Sequence, residues 1–230
     1  MNLDREENMK KNILIMGGSR GISEAVAKHL YEENHVICVS RTHSQYGQWI
    51  QTDIRTQDGI ETIEKALTNR TLDAFLYLGG IWEDRAFTQH YSFEKSSREE
   101  IHRVLDVNLT SAILLTQALL PFLERAENPK AIFVGALSGL DNNATKEVAN
   151  TASKFGLRGF IQSIRLTHSK IGFSIINPGN IATEEVLEDI REGRFKQQHP
   201  IPMADFVNTV NFILNTSFYC VVSEINLQQK

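Results

Sequence analysis

The sequence predicts one α/β domain on a doubly wound parallel sheet, with helices covering both faces in three layers. Three observations carry that expectation. Short, continuously apolar runs alternate with stretches of helical periodicity along the whole chain, and strands so uniformly apolar are buried on both faces, as in a parallel sheet. A glycine-rich turn follows the first apolar run at once and opens a helix. The 230 residues show no repeat, low-complexity tract or linker where a second domain would start, and they suffice for a core on both sides of a sheet.

Ile13-Leu14-Ile15-Met16 reads as the first strand, and Ile22, Ala25, Val26, His29 and Leu30 fall on one face of the helix after it. Val36–Val39 is the second strand and Trp49–Thr52 a short third. Ile60, Ile63 and Leu67 mark the next helix, and Ala74–Leu78 the fourth strand. Ser97–Leu123 reads as one long helix ending near Pro121, followed by the fifth strand, Ala131–Ala136. Leu157, Phe160, Ile161 and Ile164 mark a further helix, and Phe173–Ile176 the sixth strand. Met203, Phe206, Val207, Val210, Ile213 and Leu214 make a last amphipathic helix before a closing strand near Cys220–Ile225. A sheet of this kind binds ligands beyond the carboxyl ends of its strands, so the loops after Met16, Ser40, Leu78, Ala136 and Ile176 face the ligand.

With 41% hydrophobic and 23% charged residues and a formal charge of −4, the chain has neither the basic excess of a nucleic-acid binder nor that of a protein bound to anionic membranes. No unbroken apolar run approaches a bilayer span. Residues 1–11 are polar and of mixed charge, unlike a secretion signal, and read as a disordered lead-in to a domain over 12–230. Cys38 and Cys220 lie in apolar runs with no His or Cys at ligand spacing. They read as buried free thiols in a reducing cytoplasm, with no metal site.

Chemistry begins at Met16-Gly17-Gly18-Ser19-Arg20-Gly21-Ile22-Ser23. Gly17 can take the angles of a tight turn, and Gly21 lets the helix start approach a pyrophosphate, whose charge the free N–H groups and dipole there favour. This Rossmann-type turn predicts a nicotinamide dinucleotide held by Gly17, Ser19, Arg20, Gly21 and Ile22. The second strand ends in Ser40-Arg41, with no acid to accept from a ribose 2′-hydroxyl, while Arg41 and Arg20 suit a 2′-phosphate. That favours NADP(H) over NAD(H).

From about Asn12 to about Asn226 the chain resembles the short-chain dehydrogenase/reductase family. The family's Thr-Gly-x-x-x-Gly-x-Gly falls on Met16 to Ser23, keeping Gly17 and Gly21. Asp53-Ile54 stands where the family's Asp binds the adenine amino group. Its Asn-Asn-Ala-Gly falls on Tyr77-Leu78-Gly79-Gly80. Leu105-Asp106-Val107-Asn108-Leu109 resembles the segment with the catalytic Asn, here Asn108. Asn177-Pro178-Gly179-Asn180-Ile181-Ala182-Thr183 resembles the motif that meets the nicotinamide, which implies roles for Pro178, Gly179, Ile181 and Thr183.

The match breaks at the catalytic stretch. Ser138 fits the family's serine and Lys154 its lysine, but Asn150 stands where Tyr-x-x-x-Lys has its tyrosine, and no tyrosine lies within a helical turn of it. In the resemblance the tyrosine exchanges a proton with the substrate oxygen, a task an amide cannot perform near neutral pH, although it can donate a hydrogen bond to a carbonyl. Lys154 also holds the nicotinamide ribose hydroxyls, so its presence implies binding apart from turnover.

Two readings follow. One is an NADP(H)-dependent oxidoreductase for a small carbonyl or alcohol substrate, its proton coming from a water on Ser138, Asn108 and Lys154 or from Lys146, Glu147 or Glu184, which read otherwise as solvated loop charges. The other is a dinucleotide-binding protein without turnover, acting as a sensor, scaffold or oligomer partner. Leu78 and Leu137 add to the departures at the chemical end. Trp82, Phe87, Tyr91 and Phe93 either line a substrate pocket or pack beneath the following loop. The segment Thr183–Pro202, short and charged, is expected over the pocket. The apolar excess of the long helix implies a homodimer or homotetramer.

Overall fold

The computed structural model describes residues 10–230. Among these residues seven strands, all parallel, form one sheet in the order β3-β2-β1-β4-β5-β6-β7. They are β1 (Asn12–Met16), β2 (His35–Ser40), β3 (Gln48–Gln51), β4 (Ala74–Tyr77), β5 (Lys130–Val134), β6 (Gly172–Pro178) and β7 (Glu224–Leu227). The strand order reverses between β1 and β4, so the crevice there opens at the carboxyl ends of the two strands, beside the glycine turn.

Among the described residues seven α-helices flank the sheet: α1 (Gly21–Tyr31), α2 (Gln57–Leu67), α3 (Arg98–Leu105), α4 (Ser111–Leu123), α5 (Val148–Thr167), α6 (Glu184–Arg191) and α7 (Met203–Leu214). Each face has its own apolar cluster. Alternate strand residues Leu14, Ile37, Phe75, Phe133 and Phe173 pack with Ile63, Leu115, Leu119 and Leu157 from α2, α4 and α5. Their neighbours Ile13, Ile15, Cys38, Leu76, Ile132 and Ile176 pack with Val26 and Leu30 of α1 and Phe206, Val210 and Ile213 of α7. The period-two alternation of strand side chains thus feeds two cores from one set of strands whose central members are mainly apolar.

Several boundaries differ from the expected ones for visible reasons. Residues 106–110 form a π-helical turn between α3 and α4, and the helix passes Pro121 to end at Leu123. A proline one turn from a helix end removes a single hydrogen bond there. Arg98–Leu123 has a window of mean hydropathy 1.4, enough by composition for a membrane span. The fold uses that apolarity for packing, with Val104, Ala112, Leu115 and Leu119 wholly buried. The last strand starts later than Cys220, because Ser217–Cys220 forms a turn tied by Lys130 Nζ to the carbonyls of Ser217 and Cys220 at 3.3 and 3.4 Å. Cys220 is therefore exposed and only Cys38 is buried, which corrects the expectation of two buried thiols.

The expected lead-in over 1–11 lies, up to residue 9, outside the described residues. Lys11 belongs to the domain: its Nζ donates to the Leu214 carbonyl at 3.1 Å, and its own carbonyl accepts from His35 N at 2.9 Å.

Candidate active site

The glycine turn follows β1 with Gly17 at φ +100°, Gly18 at +92° and Gly21 at +59°. A Cβ at Gly17 would lie 2.6 Å from Ser23 Oγ and one at Gly18 only 2.5 Å from Cys38 Sγ. Both glycines are thus required by packing as well as by backbone angle. Ser23, in place of a third glycine, fills the space beneath Gly17. At Gly21 a Cβ would meet only Thr183 Cγ2 at 4.0 Å, and at Gly79 only the Met16 carbonyl at 4.0 Å, so the backbone is open to approach at both. The N-cap of α1, Arg20, caps nothing with its side chain. Open backbone before an uncapped helix N-terminus fits the diphosphate of a dinucleotide. Ile22 packs partly into the core and offers the site only its backbone.

The adenine side holds more internal bonding than expected. Both Asp53 oxygens accept from Arg55, whose Nε lies 2.9 and 3.1 Å away, and this pairing pulls the carboxyl down to about 2. Ser40 donates to the Thr42 carbonyl at 2.5 Å and accepts from Trp49 Nε1 at 3.1 Å, so its hydroxyl is engaged locally. Thr42 Oγ1 donates to Ser19 Oγ at 2.8 Å and ties the β2 loop to the glycine turn. Arg41 is exposed beside them. Arg20 Nη1 pairs with Glu185 at 2.8 Å in a solvated ion pair. Ile54 packs against the core.

At the nicotinamide side Pro178 ends β6, and Gly179 N donates to the Leu227 carbonyl at 2.8 Å. A Cβ at Gly179 would lie 2.3 Å from Gln229 Oε1, so the C-terminal tail packs directly on this motif. Asn177 Nδ2 donates to Glu224 at 2.8 Å and to Asn226 at 2.9 Å, while Arg158 of α5 pairs with Glu224 at 3.0 Å. Ile181 is 3% exposed and joins the core cluster, leaving only its backbone near the site. The Thr183 hydroxyl accepts from Val186 N at 3.2 Å and caps α6.

The chemical end gathers Asn108, Ser138, Asn150 and Lys154, all buried. The π-helical turn places Asn108 so that its Oδ1 accepts from Ile81 N at 2.8 Å and its Nδ2 donates to the Ile81 carbonyl at 2.9 Å. Tyr77 of β4 donates to the Val107 carbonyl and pins that turn. Lys154 Nζ donates to the Val134 carbonyl at 3.0 Å, and burial lowers its pKa to about 8. A Cβ at Gly80 would lie 3.2 Å from that Nζ and 3.5 Å from Asn108 Oδ1, so glycine there lets the β4 loop touch both groups. Asn150 Nδ2 donates to the Ile81 carbonyl at 3.0 Å. Ser138 Oγ and Asn150 Oδ1 are buried without partners. One of the two Asn150 amide N–H groups is thus engaged by the protein's own carbonyl.

Three residues here were read differently or missed in the sequence. Glu83 is 4% exposed, and its Oε1 accepts from Ala149 N at 2.7 Å and Asn150 N at 3.2 Å, capping α5 from the β4 loop. Tyr91 Oη accepts from Val148 N at 3.1 Å beside it. Glu147 is also buried, and its Oε1 accepts from Phe87 N at 2.9 Å, where Phe87 has φ +65°. The two glutamates bind the β4 loop and the start of α5 to each other reciprocally. Glu147 is therefore no solvated charge, whereas Lys146 is exposed and Glu184 pairs with Arg191 in solvent. Trp82, Phe87 and Phe195 stack edge to face along a cavity of about 350 Å³ between this loop and α6, which Glu83 and Asn180 also line. Tyr91 and Phe93 are not among its lining residues.

The model of the short-chain dehydrogenase family matches residues 11–193, covering the glycine turn, the Asn108 turn and the Ser138–Lys154 stretch. The chain belongs to that family. Among its relatives is the 3-oxoacyl-[acyl-carrier-protein] reductase MabA of Mycobacterium tuberculosis, 26% identical over 188 residues, which are 76% of this chain and 71% of that protein. Carbonyl reductase family member 4 of Xenopus laevis is 25% identical over 207 residues, 84% of each chain. Among solved structures, ElxO with NADP bound superposes with TM-score 0.83 at 18% identity, covering 95% of this chain and 97% of that one. The alcohol dehydrogenase of Thermococcus sibiricus, complexed with 5-hydroxy-NADP, does so at 0.78 and 18%, covering 96% and 97%. The seven-stranded parallel sheet with its flanking helices matches the fold of these structures.

Proposed function

We propose that this short-chain dehydrogenase is an NADP(H)-dependent oxidoreductase. It exchanges a hydride with a small substrate of the carbonyl or alcohol kind, with Asn150 in the tyrosine's place. The observation that carries this reading is Lys154. A lysine held wholly inside the protein is costly, yet here one sits against Gly80 and Asn108 at the mouth of the crevice. When bound, the reduced nicotinamide supplies the hydride. Lys154 would hold its ribose, the turn from Gly17 to Gly21 its diphosphate, Asp53 and Ile54 the adenine, and Pro178 to Thr183 the carboxamide end.

Preference for NADP(H) is supported by the exposed Arg41 beside a β2 end without an acid, and by the NADP-bound neighbours. Two unpaired thiols suit a reducing cytoplasm. Ile113, Leu114 and Phe155, exposed on α4 and α5, suit a homodimer or homotetramer. The second reading, dinucleotide binding without turnover, is favoured by Asn150, an amide with no proton to exchange that donates to the Ile81 carbonyl.

The test is a fluorescence titration with NADPH and NADH, followed by turnover assays over carbonyl and alcohol substrates for the wild type and Asn150→Tyr. NADPH should bind about tenfold more tightly than NADH, and Arg41→Ala should remove that difference. Binding with turnover only in Asn150→Tyr would establish the non-catalytic reading, and no binding of either dinucleotide would sink both.

A further inference from the structure

The family's tyrosine offers its substrate a hydroxyl donor, whereas this chain offers an acceptor. The Ile81 carbonyl can only accept, so the Asn150 amide must turn its NH₂ toward it and its Oδ1 away. That oxygen is buried and unpartnered, as are Ser138 Oγ and Glu83 Oε2. No other side-chain atom among the described residues shares that state. Two of the three can only accept, Glu83 as the carboxylate that the α5 N–H groups hold. Native interiors leave few such groups unpaired, and a cluster of them points to a ligand that brings donors.

Charge narrows the choice. The carboxylate of Glu83 reaches the backbone of Asn150 itself, with Oε1 3.2 Å from Asn150 N. A negative group so close, in a buried site, favours a cation over a neutral carbonyl. The adjoining cavity of about 350 Å³, with Trp82, Phe87 and Phe195 on its walls, fits a small ring. Its charged lining, Arg85 and Arg194 against Glu83, Glu185 and Asp189, leaves one carboxylate in excess for a cation beside those aromatic faces.

We propose that the reacting group is a protonated carbon–nitrogen double bond, as in a cyclic imine. Its N–H donates to Asn150 Oδ1, and the Glu83 carboxylate serves as the counter-charge. This rests on the hydride-transfer reading above and names its acceptor. In the step, the C=N carbon takes a hydride with its two electrons from the reduced nicotinamide. The π pair becomes the nitrogen lone pair, the N–H bond persists throughout, and an amine and the oxidised dinucleotide are formed. No proton is delivered, so no tyrosine is needed. A ketone would develop negative charge on oxygen opposite the lone pairs of Asn150, with no acid at hand. Lys154 is the like charge in the neighbourhood; its hold on the Val134 carbonyl and its pKa of about 8 weaken its opposition as pH rises.

The experiment compares a matched pair, phenylpyrroline and phenylcyclopentanone, with saturating NADPH, and measures binding of phenylpyrrolidinium, the amine product after protonation by solvent, calorimetrically in the presence of NADP⁺. The imine should be reduced at least ~100-fold more efficiently, the scale of one missing general acid. Asn150→Tyr should erase that preference. Asn150→Leu and Glu83→Gln should each weaken phenylpyrrolidinium binding about tenfold or more while leaving dinucleotide affinity unchanged. Equal or faster reduction of the ketone, or ammonium binding indifferent to both substitutions, overturns the nitrogen substrate and leaves the hydride reading standing. Dinucleotide binding with neither compound reduced overturns the hydride reading and this inference with it.

Discussion

The two ends of the crevice are built on opposite principles. At the dinucleotide end the polar groups are engaged within the protein: Asp53 with Arg55, Ser40 with Thr42 and Trp49, Ser19 with Thr42. The exposed backbone there is free because glycine makes it so. At the chemical end, buried side chains are braced on one side and bare on the other. Asn150 is bonded through Nδ2 and bare at Oδ1, Glu83 bonded through Oε1 and bare at Oε2, and Ser138 bare altogether. The first arrangement receives a ligand by shape and helix dipole. The second stores unpaired hydrogen-bonding capacity that a ligand relieves. A site can therefore hold a dinucleotide in the family's way and act on a different partner.

The largest effect follows from removing that bracing. Glu83→Ala leaves the buried N–H groups of Ala149 and Asn150 unpaired, at about 1–3 kcal/mol each. Urea unfolding should show a loss of about 4 kcal/mol, and Glu83→Gln, which keeps an acceptor, should restore most of it. A loss below ~1 kcal/mol for the alanine variant would mean that water replaces the carboxylate and the end is not dry.

Next in size is the pH response of Lys154. Its pKa falls from 10.5 to about 8 on burial. Between these values the unfolded chain holds a proton that the folded chain has released, so stability rises as pH rises from about 8 to 10.5 and is lost as pH falls through 8. The span corresponds to about 3 kcal/mol. Wild type measured against Lys154→Met across that range should gain this increment, and a flat difference would place the ammonium in water. The dinucleotide end works in the opposite range. Asp53, held low by Arg55, contributes above pH 3.8 and loses that contribution as pH falls toward 2, and its partial exposure keeps the effect small.

Most of the dinucleotide end was legible in the sequence because it depends on backbone. Gly17 and Gly21 between an apolar run and an amphipathic helix can do little else. Gly18 was not singled out, since only the three-dimensional path brings Cys38 Sγ beneath it. The central strands were legible for the same reason as the cores, being runs of mainly apolar residues such as Ile13–Met16 and Ala74–Tyr77. The last strand was displaced because Cys220–Val222 is as apolar as a strand but sits at a turn. At the chemical end, the family resemblance singled out Asn108, Ser138, Asn150 and Lys154, but Glu83 and Glu147 look like any loop acids. Their burial comes from a reciprocal capping between residues 60 and 66 positions apart. The direction of the Asn150 amide was beyond the sequence altogether, for it is set by which atom of Ile81 it meets.

The smallest expected effect separates the two ends most cleanly. At Gly17 an alanine would carry a Cβ at φ +100°, 2.6 Å from Ser23 Oγ. Strain of that kind costs about 2 kcal/mol and should be accompanied by loss of dinucleotide affinity. At Ser138 an alanine removes a buried hydroxyl that bonds to nothing in the protein. It relieves the desolvation of an unpaired group and leaves almost no cavity, so stability should change by less than ~1 kcal/mol, in the stabilising direction. Binding of substrate or product should nevertheless weaken. Thermal unfolding of both variants with and without NADPH measures this. A destabilised Ser138→Ala would show that its hydroxyl supports the fold, and the contrast between a shaped end and an unsatisfied one would lose its sharpest member.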